Sequence, residues 1–84
     1  MCKVRCEVVM SGPGPNEKIV TIRDAESGMK EEVVAVASAV AGGFLETSHV
    51  LGRDSGRVLV ELPRESASGK WRLWVSETDT DATL

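Results

Sequence analysis

The chain has no tyrosine, a single phenylalanine and a single histidine among its 84 residues. With so few rings, core volume must come from valine, leucine, isoleucine and the two tryptophans, Trp71 and Trp74. No apolar run approaches the ~18 residues of a membrane span. The opening "MCKVRCEVVM" is too polar for a signal-peptide core, because Lys3, Arg5 and Glu7 interrupt it. A cytoplasmic protein with no membrane contact is the expectation.

Charge of one sign is also missing. Ten basic residues stand against 13 acidic ones. Three of those acids, Glu77, Asp79 and Asp81, lie close to the C-terminal end, so the remaining body is neutral. A neutral body is not the footprint of a nucleic-acid or membrane binder. Cysteine is sparse, with only Cys2 and Cys6. On one strand these would stand about 13 Å apart, well beyond the ~7 Å that a disulfide tolerates. Free, buried thiols in a reducing compartment fit that spacing.

Catalytic and metal chemistry find little material. His49 is flanked by Ser48, but neighbouring strand residues point to opposite faces and cannot pair as base and nucleophile. A metal site would need Cys2, Cys6, His49 and a fourth ligand, and the cysteine spacing is not that of a zinc knuckle. "GPGPNEK" carries G-x-G without the third glycine or the following helix of a phosphate loop. The expectation is a protein that is not an enzyme, with no catalytic residue, no metal and no cofactor.

What is present is hydrophobic periodicity. In residues 2–10, Cys2, Val4, Cys6, Val8 and Met10 share one face, the signature of a half-buried strand. "SGPGPN" reads as a loop and residues 17–24 as a second strand, with Val20 and Ile22 inward and Ile19, Thr21 and Arg23 outward. From Met29 to Phe44 an apolar stripe recurs at helical spacing, with Ser27 as its N-cap and Gly42-Gly43 as its end. A helix is therefore expected there. Residues 46–52 form a weak strand, 57–63 a clear one and 70–76 the last. No internal repeat is legible.

The resulting fold class is α+β: a single domain over 1–76, ordered ββαβββ, with one helix on one face of a mainly antiparallel sheet. This order is similar to the β-grasp arrangement in topology; no motif carries the likeness further. Residues 77–84 are expected to be a flexible acidic tail.

In this scheme Trp71, Leu73 and Val75 face the core, while Arg72 and Trp74 face outward. Pairing of the first and last strands would gather Lys3, Arg5, Arg72 and Trp74. The open face, with Arg5, Val9, Ile19, Arg57, Leu59, Arg72 and Trp74, is the candidate binding surface. Tryptophan and arginine beside aliphatics suit a protein interface, either with a partner or with a second copy. A solvated sheet face ranks second. Single-stranded nucleic acid, stacked on Trp74 and held by the arginines, is the alternative ligand.

Overall fold

A computed structural model of the chain describes residues 2–47 and 50–82. Ser48 and His49 lie outside the described residues. The strands in chain order are β1 (Cys2–Arg5), β2 (Glu7–Ser11), β3 (Glu17–Arg23), β4 (Lys30–Val36), β5 (Val40–Ala41), β6 (Phe44–Thr47), β7 (Val50–Asp54), β8 (Arg57–Glu61), β9 (Arg72–Ser76) and β10 (Thr80–Ala82). Short 3-10 turns at Ala37–Ala39 and Glu77–Asp79 precede β5 and β10. They build three antiparallel sheets, ordered β10-β1-β6-β5, β2-β3-β4 and β7-β8-β9. Among the described residues there is no α-helix, and so none long and apolar enough to cross a membrane.

The fold is therefore not α+β, and the expected helix is replaced by β4, a 3-10 turn and β5. The reason lies in "KEEVVAVASAV". Its apolar residues are nearly continuous, so they satisfy a helical and a strand period at once. β-Branched Val33, Val34, Val36 and Val40 tip the balance toward strand. Alternation is then obeyed: Val33 and Ala35 are buried, whereas Val36 is exposed. Gly42-Gly43 is no helix end. With φ of 60° and 82° it joins the paired residues Ala41 and Phe44 as a two-residue hairpin turn. Nor is the C-terminal stretch a free tail as far as it is described, because β10 pairs with β1 along Cys2–Val4.

The ten strands form two copies of one pattern. β1–β5 and β6–β10 each run strand, three-stranded meander, 3-10 turn, short strand. The pairings Glu17↔Val36, Ile19↔Val34 and Val20↔Val33 recur forty positions on as Arg57↔Ser76, Leu59↔Trp74 and Val60↔Leu73. The irregularities recur too. β2 slips register between Val8 and Met10, and β7 between Val50 and Gly52. The Ala37 N–H donates to Asn16 O, and the Glu77 N–H to Gly56 O. Only Val20/Val60 and Lys30/Lys70 are identical between residues 17–41 and 57–81, which is why the repeat is invisible in the sequence.

The halves do not stand side by side; they exchange strands. β1 of the first half pairs with β6 and β10 of the second, and β6 pairs with β1 and β5. The inner faces of all three sheets meet in one core that includes Cys2, Val4, Val20, Val33, Leu45, Val60 and Leu73. Each such side chain contributes about 1.5–3 kcal/mol by leaving water. The connecting loops cross over as well. The Ala25 N–H donates to Trp74 O on the free side of β9, and the Ala67 N–H donates to Glu32 O on the free side of β4. Each half thus covers an edge strand of the other, which removes a row of unpaired backbone groups.

A buried polar residue anchors each of these loops. In the first, Asp24 is 1% exposed; its carboxylate accepts from the Glu26 N–H at 2.8 Å and from Lys70 Nζ at 3.0 Å. Burial pushes the Asp24 pKa up, but the Lys70 hydrogen bond, the Glu26 N–H and the lysine charge outweigh it and hold the carboxyl below its ordinary value. In the second, Ser66 Oγ donates to Glu31 at 2.8 Å and accepts from the Lys70 N–H at 3.0 Å.

Candidate functional site

The outer faces of all three sheets are open, and those of the two three-stranded sheets carry apolar rows. On β7-β8-β9 a central row crosses the sheet as Gly52, Leu59 and Trp74, paired neighbour to neighbour. The row on one side holds Asp54, Arg57 and Ser76; the row on the other pairs Glu61 with Arg72. The Arg57 guanidinium lies over the Trp74 ring, 5.7 Å from its centroid. Such a contact is worth about 0.5–1 kcal/mol in an exposed setting. It also holds a half-buried aromatic ring and a cation together in one arrangement.

Trp71 does not enter the core. It precedes β9 and is 57% exposed, while Leu73 and Val75 are buried as expected. The strand begins at Arg72, two residues later than the expected 70–76, and the Trp71 carbonyl accepts from the Leu62 N–H at 2.8 Å.

On β2-β3-β4 the equivalent row is Met10, Ile19 and Val34. Val36 stands next on β4 at 48% exposure, and Val9, at the register slip, is also 48% exposed. Glu7, Glu17 and Glu32 flank this row. It is an aliphatic face with an acidic margin.

The expected binding residues are thus distributed over three places. Arg57, Leu59, Arg72 and Trp74 come together on one sheet face. Ile19 and Val9 belong to the aliphatic face of the other sheet. Arg5 joins neither. It stacks over Phe44 at 5.4 Å, with Nε 3.7 Å from Asp79. The proposed gathering of Lys3 and Arg5 with Arg72 and Trp74 does not form, because β9 pairs only with β8 and Lys3 pairs with Asp81 and Glu46. Met10, Val34 and Val36 were missed. Strict alternation puts Met10 on the inner face with Val8, but one extra residue in β2 reverses the parity after Val8.

A cleft of about 320 Å³ lies between the halves, with Arg5, Cys6, Glu7, Arg23, Lys30 and Asp79 in its wall. Its cations are already engaged. Arg5 meets Asp79, Lys30 meets Glu7 at 3.5 Å, and Arg23 donates to Gly28 O at 2.9 Å. Burial raises the pKa of the Cys6 thiol, so it stays protonated and a poor nucleophile at neutral pH. The Cys2 and Cys6 thiols are free and buried.

No family model, curated protein or solved structure matches this chain. The two sheet faces share one backbone geometry; one is aliphatic and acidic at its margin, the other aromatic with arginines.

Proposed function

We propose that the chain is a non-catalytic protein-interaction module of a reducing, cytoplasmic compartment, and that the outer face of β7-β8-β9 is its contact surface. The observation that supports this reading is the Arg57–Trp74 stack, set beside Leu59 and Arg72 on a flat sheet face. Tryptophan and arginine are the residue types on which interface energy concentrates, and here their rotamers are ordered in advance. The two free thiols support the compartment.

The test is affinity capture with wild-type protein and with Trp74→Ala as paired baits, at moderate salt. The reading expects a specific protein, this chain itself included, retained by wild type and lost with Trp74→Ala. Retention indifferent to Trp74→Ala contradicts it.

Single-stranded nucleic acid is the second ligand class, favoured by the exposed Trp71 next to Arg72. Asp54 and Glu61 within the same face weigh against it. Tryptophan quenching by a mixed oligonucleotide, lost both with added salt and in Trp74→Ala, would promote this alternative.

A further inference from the structure

The repeat makes the two outer faces congruent, and this fixes how one could meet the other. When two congruent sheet faces are laid together with their central strands running the same way, strand order reverses across the contact. β2 of one copy then meets β9 of the next, β3 meets β8, and β4 meets β7. Along the central rows, Met10 comes against Trp74, Ile19 against Leu59, and Val34 over Gly52. The bulkiest groups are matched with a sulfur–aromatic pair, and Val34 sits where no side chain projects. In the flanking rows Glu7 comes against Arg72 and Glu17 against Arg57. Val36 meets Asp54 at one rim, and Thr21 meets Glu61 in the other flanking row.

With their central strands parallel, like faces do not fit. Two aliphatic faces in the same arrangement would set Glu17 against Glu17 and Glu7 against Glu32. Two tryptophan faces would set Arg57 against Arg57 and Glu61 against Glu61. Like charges opposed at an interface cost several kcal/mol.

We infer that the partner of the tryptophan face is the aliphatic face of a second copy of this chain, in a head-to-tail contact. This inference rests on the reading of the tryptophan face as a protein-contact surface and names its partner. Because the two contacting surfaces differ, the contact is heterologous. Any open chain of copies keeps one face free at each end, so growth continues into a ring or a filament. Glu7 gives up only an exposed contact with Lys30, and Glu17 turns from Arg64 on its own chain toward Arg57 of the next.

The test is sedimentation equilibrium of the full chain over a concentration series up to about 1 mM, the weak end of specific association. It compares wild type with Ile19→Lys on one face and Leu59→Lys on the other. Both positions are partly exposed, and circular dichroism of each variant checks the fold. The contact predicts that wild type grows with concentration and that each variant alone is monomeric, its association weakened at least tenfold. Mixed in equal amounts, the two variants form a dimer that grows no further, since each supplies the face that the other lacks. Should a lysine variant misfold, Glu17→Arg and Arg57→Glu give the same readout singly, and the double variant regains association.

A wild-type protein monomeric at all concentrations overturns the inference. So does a mixture of folded variants that stays monomeric while wild type associates. If the inference fails but the paired capture still shows a protein lost with Trp74→Ala, the tryptophan face stands as a contact surface with a different occupant. If the capture is also indifferent, both readings fall.

Discussion

Val20 and Val60 occupy equivalent positions in the two halves, and both are fully buried in the one core. Replacing either with alanine removes two methyl groups. The transfer loss is about 1.6 kcal/mol at ~0.8 kcal/mol per buried carbon. A residual cavity adds roughly another 1 kcal/mol, because neighbours on three sheets relax only in part. Each substitution should therefore cost about 2–3 kcal/mol, and the two costs should agree within their errors. An 84-residue domain has a total stability of about 4–13 kcal/mol. The double variant would thus lose a large share of it. Urea unfolding reports the loss through Trp74, half-buried against Arg57. With a slope near 1 kcal/mol/M, each midpoint should fall by about 2–3 M. A single transition must persist in both variants, since the halves share strands and core. Unequal costs, or a Val20→Ala transition that splits in two, would refute the exchanged-strand account.

Other expectations follow from the same geometry. Gly42→Val should cost about 1–2 kcal/mol, because φ is 60° there and a side chain is strained at that angle; the change in thermal midpoint reads it. Asp24 has a depressed folded pKa, so its contribution is present above the ordinary carboxylate value near 4 and fades as pH falls through the folded value. Asp24→Asn should flatten the acid limb of stability against pH. Lys70 is shifted upward from 10.5 by its hydrogen bond to Asp24, so its share is complete below that pH and is lost as pH rises through the folded value. Cys6 should resist alkylation at pH 7 in the folded protein and react readily in urea, because burial raises its pKa and blocks access. Peptides covering 1–42 and 43–84 should each be unfolded alone and gain strand circular dichroism when mixed, since β1 and β6 find their partners only in the other half.

The strands themselves were legible where one face is buried. Val20 and Ile22, Val58 and Val60, and Leu73 and Val75 all face inward as their alternation implied. The region from Met29 to Phe44 was not. Consecutive apolar residues carry no unique period there, and the Gly-Gly hairpin signal was read as a helix end. The β2 bulge concealed Met10, because a single inserted residue changes face without changing composition. Trp71 was misplaced because alternation was extended one residue beyond the start of β9. The repeat was hidden because equivalent positions share register and face but not side chain, as in Val34 and Trp74 or Glu17 and Arg57. Of the candidate surface, the grouping of Arg57, Leu59, Arg72 and Trp74 on one sheet face was readable, since it needs only two neighbouring strands in register. Its separation from Arg5, Val9 and Ile19 depended on which sheet each strand joins, and that is set by long-range pairing.

The tryptophan face is proposed as a contact surface for protein. Backbone and indole NMR signals, followed while the protein is diluted from high concentration, test it most directly. On dilution the Trp74 indole and the amides of Leu59 and Arg72 should shift together with those of Met10, Ile19 and Val34, while core amides such as those of Val4 and Leu45 stay fixed. Spectra unchanged on dilution, and unchanged again on adding any protein captured by the wild-type bait, would contradict it.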